Sequence, residues 1–142
     1  MQKKIPKKKV KNLLFVCFGN TCRSPMAEGL AKKMLGKRVQ VESAGICSSF
    51  NSAAENAIEV MKTLFDIDIS IHQPRHIEDV KLDKFDFVIA LDITVHNILK
   101  ENYEFPPEKL ILWKIDDPYL KDIKAHKECA NKICEQIRDT FA

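Results

Sequence analysis

The sequence predicts an α/β domain with a four-stranded, parallel, twisted sheet and helices on both faces. Two observations predict it. Short apolar runs alternate with amphipathic segments in the order β-α-β-α-β-α-β-loop-α, the pattern of a parallel sheet covered on both sides. The runs at 12–16 and 85–91 are near-continuous, as in strands buried on both faces, while that at 39–45 alternates and then breaks at Ala-Gly. Right-handed crossovers then leave few topologies.

Each element has its own signal. "NLLFV" (12–16) is a buried strand ending at Cys17. Pro25 suits a first helical turn, and Met26, Leu30 and Met34 follow at four-residue spacing to a stop near Gly36. "VQVESAG" (39–45) is the second strand. Apolar positions 54, 57, 58, 61, 64 and 65 mark an amphipathic helix. An irregular link follows, with a short helical turn from Ile77. "FDFVIAL" (85–91) is the third strand, and Asp92 is placed to cap the next helix. "KLILWKI" (109–115) is the fourth strand and "DDPYLKD" a loop. The last helix carries Cys129, Ile133, Ile137 and Phe141 at four-residue steps.

At 142 residues the chain fits one core, since single domains commonly run to about 100–150 residues. A lysine-rich leader over 1–10 is expected to be free, and a single domain to fill 11–142. The leader lacks the apolar segment of a secretory signal. No window reaches the roughly 18–20 apolar residues of a membrane span. Net charge is +3, and no second basic patch interleaved with aromatics follows the leader, so neither a membrane nor nucleic acid is an expected partner. The five cysteines (17, 22, 47, 129 and 134) are odd in number, which argues against a disulfide framework and for a reducing cytoplasm.

In such sheets ligands sit beyond the carboxyl ends of the strands. Cys17, Asp92 and Asp117 all fall there. The loop Cys17-Phe18-Gly19-Asn20-Thr21-Cys22-Arg23 joins the first strand to a helix N-terminus. Gly19 and Asn20 tolerate positive φ, so the loop can curl with its N–H groups inward. A curled loop feeding a helix makes an anion cradle. Arg23 adds a bidentate fork for a tetrahedral oxyanion. A thiol in that field loses its proton readily.

These residues form the C-x5-R-S signature. With "CFGNTCRSPMAEGL", "ESAG", "ISIHQPRHI", "FDFVIALD" and "DDPY" in order, the chain resembles the low-molecular-weight protein tyrosine phosphatase family along nearly all of its length after the leader. The resemblance implies a flavodoxin-like, Rossmannoid fold with a phosphate loop after the first strand. It also implies metal-independent hydrolysis of phosphomonoesters on a phosphorylated protein or peptide, with no cofactor. Phosphate, vanadate or arsenate would occupy the cradle. Cys17 would be the nucleophile and carry a phosphocysteine. Arg23 and the amides of Phe18 to Arg23 would bind the equatorial oxygens. Ser24 would hydrogen-bond the thiolate, and Asn20 would hold the loop with Ser43 and His72 as partners. Asp117 would be the general acid, with Asp116 its rival.

Other residues keep two readings. Cys22 either packs or, as the resemblance implies, forms a reversible disulfide with Cys17. Asp92 is a helix cap or an acid at the site mouth. Phe50 and Tyr119 wall the substrate pocket or pack elsewhere. His76, His96 and His126 are expected to be solvated or incidental. Cys129 and Cys134 repeat the five-residue step of Cys17 and Cys22, but on a helix that step turns about 140°, which disfavours a shared zinc. They are expected to pack.

Three rival functions follow. Arsenate reduction uses the same cradle, but the segment "LDITVHNILKENY" (91–103) carries no relay cysteine, so Cys47 or Cys22 would have to substitute. Thr21 stands where tyrosine phosphatases of the family usually carry an apolar residue, a feature of the protein-arginine phosphatase branch. A non-catalytic binding module predicts loss of Cys17, Arg23 or Asp117, and all three are present.

Overall fold

The computed structural model describes residues 4–47 and 50–141. Strands β1 (Asn12–Cys17), β2 (Gln40–Gly45), β3 (Phe87–Ala90) and β4 (Leu110–Leu112) form one sheet in the order β2-β1-β3-β4. Every pairing is parallel. Order reverses beside β1, which places the crevice of an open α/β sheet beyond its carboxyl end.

Helices α1 (Arg23–Leu35), α2 (Glu55–Phe65) and α4 (Ile123–Thr140) cover one face, and α3 (Ile93–Glu101) the other. The pleat of β1 divides the core between them. Leu13, Phe15 and Cys17 join the larger cluster, with Met26, Leu30, Met61, Ile133 and Ile137. Leu14 and Val16 join the smaller one, with Val88, Val95, Leu99 and Phe105. Burial on both faces is why β1 reads as an unbroken apolar run.

Two strands are shorter than the sequence predicts. In 85–91, Phe85 closes a 3-10 turn, and the Asp86 carboxylate takes the N–H groups of Lys11 and Asn12 at 2.7 and 2.9 Å. In 109–115, the ladder ends at Leu112, although Trp113 N–H and Ile115 N–H still reach the carbonyls of Ala90 and Leu91. The third strand turns into its helix cap there and leaves no regular partner. Phe141 lies just past α4 and bridges Ile5.

That bridge bears on the leader. Residues 1–3 lie outside the described residues. From there on the leader is held rather than free: Ile5 N–H donates to Thr140 O at 2.7 Å, Lys7–Lys9 form a 3-10 turn, and Val10 is buried in the core. Its two apolar residues, spaced among the lysines, supply the attachment. Among the described residues no helix is long and apolar enough to cross a membrane.

Candidate active site

The loop between β1 and α1 curls as its residues require. Asn20 adopts φ 56°, and the chain then enters α1 with Cys22 as its N-cap residue. The tip of β2 holds the loop from below. Ile46 N–H donates to Cys17 O at 3.2 Å and Cys47 N–H to Phe18 O at 2.8 Å, while Ala54 N–H reaches Thr21 O at 2.9 Å from the start of α2. Gly45 is required for this approach. A Cβ there would lie 2.9 Å from Phe18 O and 3.0 Å from Asn20 N, both backbone atoms.

Cys17 sits at the base of the loop with its sulfur 2.9 Å from Ser24 Oγ, and Asn20 N–H donates to that sulfur at 3.2 Å. The Asn20 side chain is wholly buried and fully used. Its amide donates to Ser24 Oγ at 2.7 Å and Ser43 Oγ at 3.0 Å, and its carbonyl accepts Arg75 N–H at 3.1 Å. His72 Nε2–H donates to the Asn20 backbone carbonyl at 3.0 Å. Burial lowers the His72 pKa and outweighs that hydrogen bond, so the ring stays neutral over a wider pH range. The structure therefore brings Ser24, Ser43 and His72 to Asn20. It adds Arg75, whose Nε–H also donates to Ser43 O at 3.1 Å, and Glu28, which accepts from Ser43 Oγ.

Arg23 is buried and reaches the segments that follow two strands, β3 and β4. Nη1 donates to Asp92 Oδ2 at 2.9 Å, Ile115 O at 3.0 Å and Leu91 O at 3.4 Å, and Nη2 lies 3.5 Å from Asp117 Oδ2. Burial opposes its charge, but Cys17, Asp117 and Asp92 outweigh that and hold the guanidinium above its ordinary value. Asp92 fills both of its sequence readings, since Oδ1 caps α3 by accepting Val95 N–H at 2.8 Å. Asp117 accepts Tyr119 N–H at 3.1 Å. Asp116 faces cavities lined by Lys114 and Ile115 and is absent from the pocket over the loop.

That pocket holds about 110 Å³ and is lined by Cys17, Phe18, Gly19, Thr21, Cys22, Arg23, Phe50, Asp117 and Tyr119. Phe50 and Tyr119 meet edge to face, with ring centroids 5.5 Å apart. Both rings line the same pocket as the Cys17 thiol. Leu120 takes φ 64° and projects into solvent.

Burial pushes the Cys22 thiol up to about 11, although the Thr21 hydroxyl works the other way. Burial likewise pushes Cys129, on α4, up to about 12. Cys129 and Cys134 belong to the core. His126 departs from its solvated reading: it is buried, with Nδ1 2.9 Å from Asp122 O.

Fold and loop together define an α/β protein with a cysteine-based oxyanion loop. Residues 12–142 match the low molecular weight phosphotyrosine protein phosphatase family, and the chain belongs to it. Arsenate reductase from Staphylococcus aureus is 40% identical over 126 residues, covering 87% of this chain and 90% of that one. The low molecular weight protein tyrosine phosphatase from T. tengcongensis superposes with a TM-score of 0.83 at 32% identity, over 90% of this chain and 95% of that chain. The YwlE arginine phosphatase from Geobacillus stearothermophilus gives 0.82 at 25% identity, over 90% and 88%.

Proposed function

We propose that the protein is a metal-independent protein tyrosine phosphatase working through a phosphocysteine on Cys17. The observation that carries this reading is one pocket holding Cys17, Arg23 and Asp117 under an aromatic rim. Cys17 Sγ attacks phosphorus as the bond to the leaving oxygen breaks, and Asp117 gives that oxygen its proton. Arg23 and the loop amides stabilise the charge on the equatorial oxygens. In the second step Asp117 takes a proton from the attacking water. The sulfur–phosphorus bond breaks, and the Ser24 hydroxyl receives the departing thiolate. Phe50 and Tyr119 grip the ring of the leaving group. Free phosphate and vanadate compete for the cradle.

The catalytic unit is the single domain over 11–142, with the leader as an attachment. A reducing cytoplasm suits its thiols. Cys22 serves as the partner that condenses with an oxidised Cys17.

Two further readings have specific support. Thr21 lines the pocket and presents a hydroxyl where phosphoarginine would bring a polar guanidinium. Arsenate reduction is supported by the names of the curated relatives. Against it, the segment over 91–103 has no cysteine.

Parallel assays on phosphotyrosine peptide, phosphoarginine peptide, and arsenate with thioredoxin separate the three. Phosphotyrosine turnover without metal is expected to dominate. Faster phosphoarginine turnover that Thr21→Ile abolishes selects the second reading. Arsenate-dependent thioredoxin oxidation selects the third.

A further inference from the structure

We propose that Glu28 is a positioning residue that sets the direction of the hydrogen bonds ending on the Cys17 sulfur. The proposal rests on Cys17 as nucleophile and extends that reading to a residue outside the pocket.

The chain of contacts is continuous. Ser43 Oγ donates to Glu28 Oε1 at 2.5 Å, Asn20 Nδ2 donates to Ser43 Oγ at 3.0 Å and to Ser24 Oγ at 2.7 Å, and Ser24 Oγ lies 2.9 Å from Cys17 Sγ. Asn20, Ser24 and Ser43 are buried, so water does not complete their bonding. Each link has one allowed polarity. A carboxylate only accepts, so the single Ser43 proton points at Glu28. Ser43 then meets Asn20 only as an acceptor. Asn20 must present its NH2 group, and both of its hydrogens are used on the two serines. Its oxygen is matched by Arg75 N–H at 3.1 Å. Ser24 therefore accepts from Asn20, and its own proton is left for the sulfur. Hydrogen bonding to a charged form favours that form, so this polarity supports the thiolate.

Glu28 is suited to the role. It sits in the second turn of α1, and Lys32 holds its other oxygen at 2.7 Å. Replacing it with alanine takes the acceptor from the Ser43 proton, so Ser43 anchors the Asn20 amide less firmly, the hold on Asn20 falls to Arg75 N–H, and the Ser24 proton is less firmly directed at the sulfur. The relay also fixes the sign of the effect. Removing a nearby negative charge favours a thiolate by simple Coulomb interaction. Losing the relay disfavours it.

The other groups facing Cys17 are Arg23 and Cys22 from the loop, Asp117 beyond β4 and Cys129 on α4. Those facing Glu28 are Lys32 and His72. None changes in the test variants except in the Lys32 control.

The test is the pH dependence of Cys17 alkylation by iodoacetamide, read by peptide mass mapping on the full chain. Glu28→Ala is expected to raise the midpoint by about one pH unit, the scale of weakening one hydrogen bond to a charged group. Glu28→Gln is expected to raise it less, because its carbonyl can still accept from Ser43. In a Ser43→Ala background, Glu28→Ala is expected to add nothing. Lys32→Met is expected to leave the midpoint in place. A midpoint that is unchanged or lower in the folded variants overturns the proposal. If Glu28→Ala does not fold, the shape-conserving Glu28→Gln decides by the same sign. The readout does not use turnover, so it fails separately from the nucleophile reading, which falls if Cys17→Ser still hydrolyses substrate.

Discussion

Arg23 Nη2 lies 3.5 Å from Asp117 Oδ2, while Nη1 of the same guanidinium is held 2.9 Å from Asp92 Oδ2. One arginine thus ties the oxyanion loop to the ends of β3 and β4. Under the proposed mechanism a bound phosphate competes with Asp117 for that arginine and leaves the carboxyl group facing the leaving oxygen.

The proposed acid role of Asp117 makes the first prediction. Asp117→Asn is expected to lower kcat by roughly 10²–10⁴, the usual scale of general acid–base catalysis. The loss should shrink for substrates whose leaving group needs no proton. Asp116→Asn should change kcat little, since that side chain lines other cavities. Steady-state rates on an alkyl and a nitrophenyl phosphate check both statements.

Asp92 joins two roles that separate by substitution. Asp92→Ala removes both the α3 cap and the charge beside Arg23, so stability should fall by about 1 kcal/mol. Asp92→Asn keeps a capping oxygen and should melt close to the parent. Activity should fall in both, because Arg23 loses its charged partner. Thermal melts alongside kinetics show whether the two readouts part.

Two glycines give opposite expectations. Gly45→Ala drives a Cβ to 2.9 Å from Phe18 O, which backbone cannot yield without moving the loop. Phosphate affinity and activity should collapse together. Gly36 has φ 81° and open space around it. Gly36 also has ψ 179°, an extended positive-φ conformation that is essentially glycine's alone, so Gly36→Ala should cost about 1–3 kcal/mol of stability and leave turnover unchanged. Vanadate binding and urea melts of the two variants test the contrast.

His72 gives a pH dependence with a definite sign. Its pKa is lowered in the folded protein from an ordinary value of 6.5, so the unfolded chain binds this proton first as pH falls. The corresponding stability is complete above 6.5 and declines below it. His72→Gln keeps a donor for Asn20 O and does not titrate there. As pH falls through and below 6.5 the parent should lose more stability than this variant in urea melts.

The sequence and the structure agree best where the chemistry is local. Cys17, Asn20, Arg23 and Ser24 fall within one strand–loop–helix segment, and Pro118 marks Asp117. What eluded the sequence depends on register. Pairing of Asn12–Cys17 with Gln40–Gly45 brings Gly45 under the loop, and it is also what sets Ser43 beside Asn20, a neighbour that only the family resemblance implied. Glu28 looks like any polar residue on an amphipathic helix, and only the approach of β2 gives it a buried partner. Arg75 lies in an irregular link whose path no periodicity reveals. One dimension does not show that the two oxygens of Asp92 divide between the α3 cap and Arg23. The leader read as free because Ile5 finds its partner, Phe141, at the far end of the chain.

The central claim is that phosphoryl transfer passes through Cys17. Rapid acid quench during turnover of a phosphotyrosine peptide, followed by peptide mapping, tests it most directly. A single phosphoryl group on the peptide containing Cys17, absent in Cys17→Ser, is the predicted result. Continued hydrolysis by Cys17→Ser, or a phosphoryl group carried on another residue, would contradict it.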